Sequence, residues 1–386
     1  MSDRNSWKLR NLIGACAAIT VFGFAFGLSY PLLSLILESR GVAPDMIGIN
    51  AAMMPIGILL FSPIIPRAVR RFGSRKIAIA AAMATAILFI AYPCFDSLPA
   101  WFLIRLLQGM SISTLFVLSE AWIVDFAGNT HRGKVVAIYA SVLSASFGAG
   151  PLLIGAIGIE GWLPFIIGAV VTVLGIIPLF LIQEEQSIRL EETGASGIFS
   201  FASKAPLLLA CVGVFAIFDA ATLSLIPVYG LANGLDLTTS ANLLTVLIMG
   251  NAVLQLPIGW LSDRFAHRQV IMGCAFTTTV TLLLLPYVVG DPVMWPVLVV
   301  MGAAGYGVYT VSLASLGDRF SGIELVQGTS AFAIMWGIGA LFGSISGGWA
   351  MTGFGPHGLP VSLAFGYFLL VAGIAIRRPV RHKTRV

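Results

Sequence analysis

The stretch PIGWLSDRFAHRQV (Pro257–Val270) packs Asp263, Arg264, His267 and Arg268 into six residues between two long apolar runs. The rest of the chain is poor in charge. Of its 386 residues 58% are hydrophobic and 10% charged, where soluble domains carry about 25% charged residues. So much apolar surface is expected to face lipid. A compact charged cluster then reads as a short watery loop joining two membrane spans.

Outward from that loop, the sequence divides into apolar segments long enough to cross a bilayer, which takes about 20 residues each. There are twelve: 11–37, 46–66, 75–95, 98–124, 134–158, 161–183, 206–230, 241–261, 269–290, 293–316, 327–352 and 359–376. Backbone groups in lipid must be satisfied within the segment, so these are expected to be helices and the fold all-α and integral to the membrane. The weak alternation of a membrane barrel is absent. Forty-two glycines suit close helix contacts. The first run is too long for a signal peptide and is expected to be a retained span. Cys16, Cys94, Cys211 and Cys274 lie singly, without metal spacing, and read as thiols.

The longest polar break, Gln183 to Lys204, separates six spans from six. The chain is expected to form an N-terminal half (1–183), a cytoplasmic linker (184–205) and a C-terminal half (206–386). With the N-terminus inside, 20 of the 22 Lys and Arg fall in cytoplasmic pieces, as the positive-inside rule asks. Twelve spans return the C-terminus to the same side. The net charge of +5 is therefore topological. It gives weak contact with membrane lipids at most and marks no nucleic-acid partner.

A shift of 193 residues aligns the two halves. Gly109 falls on Gly302, Gly150 on Gly343, Gly155 on Gly348, Gly41 on Gly234 and Asp125 on Asp318. Asp263-Arg264-Phe265 falls on Arg70-Arg71-Phe72, and Arg268 on Arg75. The opening cluster thus has a twin, RAVRRFGSRK (Arg67–Lys76), in which Arg70 occupies the acidic position. Two parallel six-helix halves follow.

Six plus six spans, a mid-chain linker and paired charged loops resemble the major facilitator superfamily. GWLSDRFAHRQ resembles its G-x-L-x-D-R-x-x-x-R loop signature at Gly259, Leu261, Asp263, Arg264 and Arg268. The first-half copy keeps Gly73, Arg75 and Lys76. RLLQG (Arg105–Gly109) resembles the R-x-x-Q-G signature of the fourth helix, and GPLLIG (Gly150–Gly155) partly matches the fifth-helix signature of antiporters. The resemblance covers essentially the whole chain and implies a secondary active transporter of the bacterial inner membrane, commonly a monomer. It also implies a gating role for the loops. Asp263 would hold helix ends together in the outward-open state. Arg264 and Arg268 are expected to pair with Asp318, and Arg71 or Arg75 with Asp125.

Charges within spans cost at least about 2.5–3.5 kcal/mol each, so each needs a reason. Arg105, Glu120 and Asp219 stand out. Gln108 shares a helix face with Arg105. Glu120 lies about 22 Å further along the same helix and only about 60° around it. Glu120 and Asp219 are the proton-carrier candidates. The repeat places Phe26 opposite Asp219, so that acid belongs to one half only. By the resemblance, helices one, four, seven and ten line a central cavity, and Arg105 is expected to face Asp219 across it. Tyr30, Trp122, Asn251, Gln255, Tyr306, Tyr309 and Trp336 are the remaining candidates for substrate contact.

No P-loop and no catalytic or metal constellation occurs, so an enzyme, a cofactor or direct ATP drive is not expected. The reading is proton-coupled antiport of a small organic molecule. Proton-coupled uptake is the alternative, followed by lipid movement between leaflets and a non-transporting sensor.

Overall fold

The computed structural model describes residues 2–126, 132–182, 201, 203–320 and 323–376. The elements are α1 (Ser2–Ser39), α2 (Pro44–Phe61), α3 (Ile65–Phe72), α4 (Ser74–Cys94), α5 (Leu98–Phe126), α6 (Arg132–Ile157) and α7 (Leu163–Ile176), which tightens into a 3-10 turn at Ile177–Leu181. The second half holds α8 (Pro206–Ala232), α9 (Leu237–Arg264), α10 (His267–Val288), α11 (Met294–Arg319), α12 (Ile323–Phe354) and α13 (Gly358–Ile376). No strand occurs among the described residues. Among the described residues, eleven helices have spans long and apolar enough to cross a membrane. The twelfth long helix, α6, runs 26 residues and carries the apolar run 135–157. The chain is a multi-pass membrane protein. The expected linker lies mostly outside the described residues.

Local sequence sets the helix ends. Gly41 and Gly234, a repeat pair, take the left-handed φ values of +75° and +82° that follow the first helix of each half. Asp236 caps α9 by accepting from the Thr239 N–H at 2.9 Å, and its bonds from Thr239 hold that carboxyl below its ordinary pKa. One expected span changes. The second span stops at Phe61, and the residues read as its tail enter a turn and α3. Within α3, Ile65 and Val69 are buried on one face while Arg67, Arg70 and Arg71 are exposed. Charges at 67, 70 and 71 cannot continue a lipid-facing helix, so the chain turns along the surface instead. Gly73, at φ +86°, joins α3 to α4.

The repeat is visible in the packing. A Cβ on Gly109 would collide with the Met54 carbonyl, and one on Gly302 with the Leu247 carbonyl, which is the equivalent position. Gly57 and Gly250 do the same against Leu106 and Val299. These glycines bring the α2 and α5 backbones together in one half, and α9 and α11 in the other. Close backbone approach is the main source of helix affinity in lipid.

The chain alternates between two faces, a near face where α1 begins and a far face. The halves meet toward the far face. There Gly48 of α2 lies against Ser344 and Gly348 of α12, and Gly348 lies against Pro44 and Asp45. The Asp45 N–H donates to Thr352 Oγ1 at 3.1 Å. On the other side of the molecule Thr238 Oγ1 of α9 donates to the Gly155 carbonyl of α6 at 3.4 Å. The innermost helices record the consequence. Residues 21–37 of α1 and 218–230 of α8 are buried without a break, whereas both helices become partly exposed toward the near face. The space between the halves is closed at the far face and opens at the near one.

Candidate functional site

Two polar clusters sit where the halves meet. The first belongs to the N-terminal half. Arg105 of α5 is fully buried. Its Nη1 donates to Asn50 Oδ1 of α2 at 3.0 Å. Its guanidinium lies 4.8 Å from the centre of the Tyr30 ring of α1, a cation–π distance. One turn on, Gln108 is fully used: Nε2 donates to Ser29 Oγ at 2.9 Å, and Oε1 accepts from Tyr92 at 2.9 Å. Arg105 Nε and Nη2, Asn50 Nδ2 and the Tyr30 hydroxyl have no hydrogen-bond partner among the described residues.

The second cluster belongs to the C-terminal half. Asp219 of α8 accepts from the Tyr306 hydroxyl of α11 at 2.6 Å. Its other oxygen accepts from Trp336 Nε1 of α12 at 3.1 Å. Tyr309 stacks on Phe215 with ring centres 4.8 Å apart. Gln255 of α9 donates to Thr310 Oγ1, whose hydroxyl donates to the Tyr306 carbonyl at 3.3 Å. Asn251 Oδ1 and Gln255 Oε1 have no hydrogen-bond partner among the described residues. Asp219, Tyr306, Tyr309, Gln255 and Trp336 therefore form one connected wall.

Rings join the clusters. Phe26 lies 4.7 Å from Tyr30 and 6.1 Å from Trp336. Arg105 and Asp219 thus face each other through Tyr30, Phe26 and Trp336 and form no ion pair. The repeat-related positions Phe26 and Asp219 both meet the same indole.

Glu120 is separate. It is exposed and has no hydrogen-bond or ion-pair partner among the described residues. It lies within electrostatic reach of Tyr139 on α6 and Tyr309 on α11, so it faces the gap between halves rather than lipid. Beside it Ser119 and Tyr139 share a 2.9 Å hydrogen bond. Trp122 is buried and donates to Ser74 Oγ at 3.4 Å, packed at the near end of α4 and apart from both clusters. A further apolar groove of about 470 Å³ between α9, α10 and α11 contains none of the three intramembrane charges.

The model of the Major Facilitator Superfamily matches residues 15–249 and 232–386. The chain belongs to this superfamily. It is 24% identical over 346 residues to the MFS-type transporter YfkF of Bacillus subtilis, covering 87% of each chain. It is 23% identical to YcaD of Escherichia coli K12, covering 73% of this chain and 75% of that one. Among solved structures, the nucleoside transporter NupG superposes with a TM-score of 0.77 at 13% identity, over 96% of this chain and 98% of that one. The D-xylose-proton symporter superposes at 0.74 and 15% identity, over 96% and 98%. The protein is a transporter with the alternating-access fold of this superfamily, not an enzyme.

The superfamily loop signatures do something the sequence reading missed. Arg75 Nη1 donates to the Ile182 carbonyl at 3.2 Å, and Arg268 donates to the Ile374 carbonyl. Each repeat-related arginine thus reaches the C-terminal carbonyls of the sixth long helix in its own half, where a cation complements the helix dipole. Arg264 is not paired with Asp318 in this conformation, in which the near face is open. Arg264 stacks over Trp260 at 4.1 Å, and Asp318 meets His267 at 3.4 Å. The Asp125 side chain lies outside the described residues. Asp263 is exposed, with no hydrogen bond or ion pair among the described residues. Gly259 has open space where a Cβ would go.

Sequence reasoning also missed Asn50, although a polar amide in the apolar run MIGINAAMM was a usable signal. Phe26 gave no such signal.

Proposed function

We propose that the protein exports a small organic molecule in exchange for protons, with Glu120 as the proton carrier and Asp219 as a second carboxylate coupled to substrate. The observation that carries this is Glu120: a carboxylate without a partner among the described residues, on the side of the gap that is open in this conformation. A structural acid in a membrane protein is normally paired. An unpaired one facing an aqueous gap is free to load and unload a proton as access alternates. The near face is assigned to the cytoplasm of a bacterial inner membrane, because Lys and Arg concentrate in its segments. Asp263, without a bond among the described residues, fits a latch that engages only when the near face closes.

Everted membrane vesicles test this. A proton gradient is built, and compounds that stabilise the purified protein are added while a pH-sensitive dye is read. Exchange discharges the gradient in the parent and leaves it intact in Glu120→Gln. Compounds that bind but leave the gradient unchanged in the parent refute proton antiport. Uptake of the compound into right-side-out cells together with protons assigns symport instead.

A further inference from the structure

We propose that Arg105, Asn50 and Tyr30 form an anion-binding subsite, and that the transported molecule carries a carboxylate or phosphate group that seats on the Arg105 guanidinium. This rests on the transporter reading above and names the chemistry of its substrate.

Arg105 is fully buried and has no carboxylate within ion-pair distance among the described residues. The unpartnered atoms around it are Arg105 Nε, Arg105 Nη2, Asn50 Nδ2 and the Tyr30 hydroxyl. Three of the four can only donate, and the fourth is a hydroxyl that can also donate. A cluster of buried donors around a cation lacks an acceptor, and the acceptor that best matches a guanidinium is a carboxylate or phosphate. The layer beside it, Ser29–Gln108–Tyr92, is closed by hydrogen bonds at both ends of the amide. The shortage is therefore specific to Arg105 and is not loose packing of the region.

The repeat shows that the fold does not need the charge. The positions equivalent to Tyr30, Asn50, Tyr92, Arg105 and Gln108 are Leu223, Leu243, Leu285, Leu298 and Met301, and all are buried. The same helix contacts are made there with apolar side chains. A buried guanidinium held only by Asn50 and the Tyr30 ring, with Nε and Nη2 unsatisfied, destabilises a protein, so its presence in one half alone points to a ligand and not to the scaffold. Asp219 cannot be the missing acceptor, since its oxygens accept from Tyr306 and Trp336 and rings separate it from Arg105. Those rings complete the substrate class. Tyr30, Phe26 and Trp336 run from Arg105 toward the half-buried indole. They suit an organic anion with a flat or apolar body. Phe26 and Tyr30 must move aside for it to reach Arg105 from the open side.

The test is thermal unfolding of the purified full-length protein in detergent, in a zwitterionic buffer with a bulky counter-ion. Benzoate, phenyl phosphate and neutral benzamide are titrated against the parent, Arg105→Gln and Asn50→Asp. At least one of the two anions should raise the parent melting temperature with dose, and benzamide should not. Whichever anion acts separates carboxylate from phosphate. Arg105→Gln should weaken the response at least tenfold in ligand concentration. Asn50→Asp places a carboxylate where Asn50 Oδ1 now accepts at 3.0 Å. It should melt higher than the parent without ligand and lose the dose response, and it keeps the test decisive if Arg105→Gln does not fold. An equal response to benzamide, an unchanged response in Asn50→Asp, or no response of the parent to either anion overturns the proposal. No proton gradient is present, so a failure of proton coupling leaves this result unmoved.

Discussion

The far-face gate rests on two glycines, and adding two methyl groups should pull it open. A Cβ on Gly48 would sit 3.0 Å from the Ser344 carbonyl carbon and 3.3 Å from Gly348 Cα. One on Gly348 would sit 3.0 Å from Asp45 Cα. The Ser344 and Pro44 carbonyl oxygens lie closer still to the two added carbons, and non-bonded atoms pack comfortably at about 3.5–4.0 Å, so each methyl forces α2 and α12 apart by about an ångström. Overpacking of this kind costs about 1–3 kcal/mol per site. The two sites touch, so their sum of about 2–6 kcal/mol is an upper range. The cost falls only on the state in which the far face is closed. At about 1.4 kcal/mol per factor of ten, Gly48→Ala with Gly348→Ala should shift the closed-to-open ratio by roughly 30-fold to 20,000-fold. The assay is pulsed electron resonance between spin labels at Asp96→Cys and Asp291→Cys, exposed far-face positions in different halves, with the four native cysteines replaced. The double alanine variant should show a longer distance as its main population. An unchanged distribution in a folded variant would refute the view that these two contacts hold the gate.

Two further outcomes follow from the packing. Gly109→Ala and Gly302→Ala clash inside one half, not between halves, so each should cost about 1–3 kcal/mol of thermal stability without changing the label distances. Asp219→Ala should strand the Tyr306 and Trp336 donors, at about 1–3 kcal/mol for each buried unsatisfied group. Asp219→Asn keeps one of the two acceptors and should lose less stability; equal melting temperatures for the two would contradict the bonding in the second cluster.

Most of the architecture was legible because lipid leaves few choices. Apolar runs of spanning length must be helices, and the segment read as 98–124 is α5 at 98–126. The repeat glycines were legible too, since an identical backbone contact demands the same small residue at Gly109 and Gly302. The break at Phe61 was not, because the apolar run continues past it and only the spacing of Arg67, Arg70 and Arg71 marks a surface helix. The intramembrane charges could be found from their cost, but not their partners. Partners depend on which helices face each other, so the aromatic bridge between Arg105 and Asp219 had no sequence signal. The loop arginines show the same limit. Their spacing marked a signature, yet the acceptors at Ile182 and Ile374 are backbone carbonyls, which carry no side-chain mark.

Proton coupling through Glu120 requires that protons alone bias the two conformations, whatever the substrate. The most direct measurement is therefore the Asp96–Asp291 label distance as a function of pH, in lipid nanodiscs, for the parent and Glu120→Gln. The parent should shift between its short and long populations as pH changes, and Glu120→Gln should hold one distribution throughout. A parent distribution that ignores pH, or an identical pH response in Glu120→Gln, would contradict the role given to this carboxylate.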